Sequence, residues 1–129
     1  RSAVPDMIRR GQEIARRYDL KLVIYGHAGD GNIHPNILFD KRDLDEVSRV
    51  QKAAAEIFQA SVELGGTLTG EHGIGLLKRG FLGLALDQTT IGMMRAIKQA
   101  IDPNNILNPG KIFPDEESYL QVPFDVSRT

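Results

Sequence analysis

Apolar positions recur along this chain with two periods. Between Asp6 and Tyr18, residues Met7, Ile8, Ile14, Ala15 and Tyr18 share one face at helical spacing, while Arg9, Arg10, Arg16 and Arg17 lie mostly outside it. The pattern predicts an amphipathic helix with Pro5 or Asp6 in its first turn. Leu20 to His27 is an apolar, β-branched run and reads as a strand. Ala28-Gly29-Asp30-Gly31-Asn32 has hairpin-turn chemistry, because Gly, Asp and Asn tolerate positive φ. From Ile33 to Asp40 the period falls to two. Ile33, Pro35, Ile37 and Phe39 point one way; His34, Asn36 and Leu38 point the other. Pro35 donates no ladder hydrogen bond, which places this strand at an edge or makes its start irregular.

The strongest helical signal runs from Asp43 to Leu64, where Leu44, Val47, Val50, Ala54, Ile57, Phe58 and Leu64 form a continuous stripe, and Gly65-Gly66 ends it. Thr67-Leu68-Thr69 reads as a short strand leading into Gly70-Glu71-His72-Gly73-Ile74-Gly75. Leu76 to Leu86 suits helical turns. Thr89 to Ile101 is a further helix with Ile91, Met94, Ile97 and Ile101 inward, stopped by Pro103. Asn104 to Pro114 is extended, and the polar tail 115–129 is expected to be disordered. The fold class is therefore α+β: a small antiparallel hairpin covered by helices. Two or three strands make a poor sheet alone. Val4-Pro5 is read as the end of a strand belonging to a larger sheet.

Composition narrows the function. The 129 residues suit one modest core, and no repeat or long linker divides them. A net charge of −1 without a basic stripe argues against nucleic acid as a partner. There are no cysteines, which excludes disulfide frameworks, Cys-based zinc sites and thiol catalysis, and fits a cytoplasmic location. No apolar run approaches the roughly 18 residues of a membrane span. The opening lacks both an initiator Met and a signal-peptide pattern, so a processed or excised segment is expected. The serines lack a nucleophile-elbow context, neither glycine cluster fits a dinucleotide fingerprint, and Lys78-Arg79 reads as a solvated pair.

Three histidines are present, His27, His34 and His72, all in Gly-rich segments. A hairpin brings His27 and His34 together, and Glu71 supplies a carboxylate from a separate loop. Two imidazoles and one carboxylate with an open position is a common donor set for catalytic zinc, and it suits manganese or ferrous iron as well. Residues adjacent in sequence diverge, so His72 is expected to stay off that metal and to serve as a proton acceptor beside it. Asn36, on the face of His34, has an amide suited to a substrate carboxylate or hydroxyl. Spacing alone is equally served by histidines that simply hydrogen-bond backbone carbonyls.

At these residues the sequence resembles a known family. Gly26-His27-Ala28-Gly29-Asp30-Gly31-Asn32-Ile33-His34 resembles the first signature of the FAD-linked oxidase C-terminal domain, found in flavoproteins of the vanillyl-alcohol-oxidase type. Gly70 to Gly75 resembles the second, and Asp102-Pro103-Asn104-Asn105-Ile106-Leu107-Asn108-Pro109-Gly110-Lys111 the closing motif, so the likeness covers about residues 4–114. The family includes glycolate oxidase subunits, D-lactate dehydrogenases and D-2-hydroxyglutarate dehydrogenases. The resemblance implies that His27, His34 and Glu71 bind a divalent metal, zinc by preference, that Asn36 and His72 contact substrate, that His72 is the catalytic base, and that Asn108 lies close to FAD. It implies oxidation of a small 2-hydroxy acid to a 2-oxo acid: the metal holds the 2-hydroxyl group and the carboxylate and acidifies the hydroxyl, His72 takes its proton, hydride passes from C2 to the flavin, and electrons leave to a separate acceptor or partner subunit.

The resemblance also implies a division. Residues 1–75 correspond to the distal part of a ferredoxin-like substrate (cap) domain, and 76–114 to the C-terminal helical segment that returns to the flavin. The family's FAD-binding domain and the basic carboxylate-binding residues of the earlier cap have no counterpart here. The chain alone is accordingly expected to bind little FAD and not to turn over, and its exposed apolar surface favours a homodimer. Two other readings are a stand-alone metal-dependent hydrolase, which needs a complete pocket within 129 residues, and a non-catalytic oligomerisation module.

Overall fold

The computed structural model describes residues 1–115. Among them the order is α1 (Val4–Arg17), β1 (Lys21–His27), β2 (Asn32–Leu38), α2 (Leu44–Glu63), a 3-10 turn (Arg79–Phe81), α3 (Leu82–Ala85) and α4 (Gln88–Ile101). This is the expected α+β class, four helices and a two-stranded antiparallel hairpin. The tail expected at 115–129 lies outside the described residues, apart from Asp115.

The hairpin register pairs Tyr25 with His34, Val23 with Asn36 and His27 with Asn32. Residues directly opposite in an antiparallel pair share a face. One face therefore carries Leu22, Ile24, Ile33, Pro35 and Ile37, all partly covered, and it lies against the helices. There Ile33 and Ile37 pack on Met7 and Ile14 of α1 and on Ala53, Ile57 and Ala60 of α2. The other face carries Val23, Tyr25, His27, His34, Asn36 and Leu38, and no helix covers it. The alternation read from the sequence is the alternation observed.

α2 starts at Asp43, whose carboxylate accepts the N–H groups of Asp45 and Glu46 at 3.0 and 3.1 Å. It ends where Gly65 takes φ +77°, with Gly65 N–H bonded to Val62 O and Gly66 N–H to Ser61 O. Leu68 then inserts beside Phe81 in a second core cluster, and the Phe81 ring packs on Phe58 of α2 at 4.9 Å.

Four expectations are corrected. Val4 opens α1 instead of ending a strand, because Pro5 suits the first helical turn. Thr67–Thr69 forms no strand; the Thr67 carbonyl accepts the Ser61 hydroxyl at 2.9 Å, so its hydrogen bonding is local. Leu44 is 66% exposed, since the first turn of α2 overhangs the core. In α4 Ile91 is buried, but Ile97 and Ile101 are 59% and 73% exposed. The inward stripe read from periodicity holds only in the first half of α4, because no described residue covers Ile97 and Ile101.

Candidate functional site

The first site element is the end of the hairpin. Four residues, 28–31, join the strands; Asp30 N–H donates to His27 O and Gly31 N–H to Ala28 O, and Gly31 takes φ +78°. This tight reversal sets His27 and His34 diagonally on the open face, with ring centroids 5.6 Å apart. At Gly26 a Cβ would stand 2.3 Å from Asn32 O and 2.8 Å from Ile33 Cα, so only glycine lets the strands approach there.

The second element is the loop after α2. Buried Leu68 fixes its root, and the chain then crosses to the hairpin at Gly70. A Cβ at Gly70 would lie 2.3 Å from Asn32 Oδ1, so the Asn32 amide sits directly on the Gly70 backbone. Asn32 thus joins the two motifs, a role that no sequence signal exposed. The loop delivers the Glu71 carboxylate to the imidazoles. Glu71 Oε1 lies 3.0 Å from His34 Nε2, 3.4 Å from His72 Nε2 and 3.8 Å from His27 Nε2. The expectation that His72 diverges from Glu71 is therefore revised: its ring stacks on His34, centroids 5.1 Å apart, and its Nε2 turns back to the same carboxylate oxygen. Tyr25 completes the ring cluster at 5.4 Å from His34.

These side chains are unequally exposed. His34 is 14% exposed and anchored, whereas His27, Glu71 and His72 are 60%, 46% and 72% exposed. The donor atoms of His27, His34 and Glu71 lie within 4.8 Å of one another. Ligands about 2.0–2.1 Å from one tetrahedral ion stand about 3.3 Å apart. The donor set thus fits a divalent cation after side-chain adjustments, with the solvent side left open. Asn36 is exposed on the same face, and its amide donates to His34 O at 3.0 Å, leaving Oδ1 and the second N–H for a ligand. A cleft of about 720 Å³ runs beneath the cluster, lined in part by Ile57, Thr67, Thr69, Glu71, His72 and Lys78.

The closing motif is tied to the second. Ile112 N–H donates to Gly75 O at 2.8 Å, and Arg79 donates to Gly110 O at 2.7 Å. Asp102, buried, receives Lys98 and the N–H groups of Ile106 and Leu107. The Lys98 ammonium chiefly, and then these N–H donors, hold its carboxyl below the usual range. Asn108 is exposed in a tight turn at φ +48°, followed by Gly110 at +73°.

Comparison with known proteins follows the same ground. Residues 1–112 match the model of a family described as FAD linked oxidases, C-terminal domain. The glycolate oxidase subunit GlcD of Bacillus subtilis is 50% identical over 113 residues, 88% of this chain and 24% of that protein. The subunit of the same name from Escherichia coli K12 is 39% identical over 114 residues, 88% of this chain and 23% of that protein. A D-2-hydroxyglutarate dehydrogenase of Stutzerimonas stutzeri is 40% identical over 97 residues, 74% of this chain and 21% of that protein. The chain thus spans about a quarter of the length of the curated relatives it matches.

Proposed function

Because the chain belongs to the FAD linked oxidase C-terminal domain family, we propose that it is the C-terminal part of an FAD-dependent dehydrogenase that oxidises a small 2-hydroxy acid to the 2-oxo acid. The observation that carries the reading is the convergence of three imidazoles on Glu71 Oε1, from two motifs 36 or more positions apart, on the uncovered face of the hairpin. In this reading residues 1–75 are the distal part of the substrate-binding cap, and 76–114 are the segment that returns to the flavin.

The residues divide the work. His27, His34 and Glu71 hold a divalent metal, zinc first, which supplies charge for binding and acidifying the substrate hydroxyl. Asn36 orients the substrate through its free amide positions. His72, the most exposed of the imidazoles, accepts the hydroxyl proton at Nε2, and the imidazolium so formed faces the Glu71 carboxylate 3.4 Å away. Asn108 contacts FAD, which supplies the acceptor for the hydride leaving C2. Electrons then pass to a separate acceptor or partner subunit; two of the relatives are themselves named as subunits. The cysteine-free composition supports a reducing cytoplasmic setting. No described helix is long and apolar enough to cross a membrane.

The test is dye reduction by the full reading frame containing this chain, loaded with FAD, against glycolate and both enantiomers of lactate and 2-hydroxyglutarate. Turnover of at least one acid is expected, with a loss of about 10²–10⁴-fold in His72→Ala. A wild-type protein that reduces dye with none of these acids sinks the reading.

A further inference from the structure

The three histidines and Glu71 each have a task in the chemistry proposed above, but one ring of the cluster has none. We propose that Tyr25 is a positioning residue for the metal site: its ring holds the His34 imidazole in the plane that aims Nε2 at Glu71, a role that rests on the metal reading above and deepens it.

Tyr25 stands directly opposite His34 in the hairpin register, and side chains so paired have Cβ atoms about 4.5–5.5 Å apart. The two ring centroids are 5.4 Å apart, with the planes at 34°. Three rings therefore surround the His34 imidazole: His72 stacked at 5.1 Å, His27 edge-on at 5.6 Å, and Tyr25. His27 ends β1, and His72 rides on the loop after α2. Tyr25 is the neighbour inside the ladder, with paired residues on both sides of it, Ile24 with Pro35 and Gly26 with Ile33.

Burial does not account for Tyr25. It is 61% exposed on the hairpin face that no helix covers, so most of its apolar area stays in water. The imidazole it touches is by contrast almost covered. A metal-binding imidazole is ordinarily held in its plane by a hydrogen bond from its second ring nitrogen. Among the described residues the His34 ring has a single polar partner, Glu71 Oε1. Ring contact takes the place of that second hydrogen bond: a phenol fixed on the opposite strand limits rotation of the imidazole about its Cβ–Cγ bond. The sequence placed Tyr25 in an apolar strand and gave it no task, because the contact exists only across the hairpin.

The test is competition for zinc against a chromophoric chelator, with the full-length protein as wild type, Tyr25→Ala, Tyr25→Phe and Val23→Ala. Tyr25→Ala is expected to lower zinc affinity about tenfold, the low end for loss of an outer partner of a metal-binding histidine. Tyr25→Phe keeps the ring and should keep the affinity. Val23 lies on the same exposed face but opposite Asn36, so Val23→Ala should keep it too. The thermal midpoint of the metal-free protein should not separate Tyr25→Ala from Tyr25→Phe. Unchanged affinity in Tyr25→Ala overturns the proposal. So does an equal loss in Val23→Ala, which traces the effect to the strand, or in Tyr25→Phe, which traces it to the hydroxyl. A metal-free midpoint that falls in Tyr25→Ala alone means that the ring supports the fold and not the imidazole, and overturns it as well. Should the wild type bind no zinc, the metal reading fails first. Crystal structures of the metal-free wild type and Tyr25→Ala then decide the positioning: a His34 ring turned away from Glu71 in the variant keeps it, and an unmoved ring removes it.

Discussion

Glu71 is the residue on which the site turns. Its Oε1 is the common neighbour of His27, His34 and His72, so neutralising it removes the group that gathers them. Glu71→Gln keeps the shape and should lower zinc affinity at least about tenfold, more than losing an outer partner does at the low end. Elemental analysis after dialysis, beside the His27→Ala/His34→Ala double variant, checks this; equal metal in all three proteins defeats the ligand assignment. Gly26 acts by absence. A methyl there meets Asn32 O at 2.3 Å, and both partners are backbone, so the strands must part. Gly26→Ala should destabilise by about 1–3 kcal/mol, in the range of overpacking. It should also weaken metal binding, because Asn32 carries the contact to Gly70. Thermal unfolding with and without zinc separates the two effects.

At the scale of elements, stability and site placement have different sources. α2 is positioned by its cap and its stripe, and Asp43→Ala should cost about 1 kcal/mol in chemical denaturation. The closing segment has almost no stripe and depends on Asp102. The folded pKa of Asp102 lies below its ordinary 3.8, so its contribution is complete above about pH 4 and is lost as pH falls through the folded value. Asp102→Asn should therefore loosen residues 104–113 at neutral pH, read as faster amide exchange at Ile106 and Leu107. The difference from wild type should shrink in acid, where the native carboxyl is protonated too. A difference that persists where the native carboxyl is itself protonated would point to shape instead of charge. Helices and hairpin were legible because burial is periodic. The turn at 67–70 was not, since its course is set by Leu68 entering a pocket with Phe81, a contact between residues 13 apart.

Across the whole molecule, one apolar strip stands out. Met93, Ile97, Ile101, Ile106 and Leu107 are each 59–73% exposed. Scattered apolar residues are ordinary on a surface, but Met93, Ile97 and Ile101 recur at helical spacing along one side of α4, and such a stripe favours association. The isolated 129-residue chain is expected to self-associate with rising concentration and to show no dye reduction. Ile97→Glu with Ile101→Glu should restore a monomer in sedimentation while changing stability by no more than about 0.5 kcal/mol, as exposed positions do. Loss of folding in that variant would mean the strip is internal to the fold.

By itself the sequence determined the elements, the two faces of the hairpin and the ordered motifs, because period, turn residues and caps are local and leave local marks. The tertiary structure decided that His72 joins His34 at Glu71, that Asn32 bears on Gly70, that Arg79 is structural, and that half of the α4 stripe is bare. Each of these depends on which atoms distant segments bring within a few ångströms, and hydrogen-bond satisfaction, charge pairing and burial exist only between such partners.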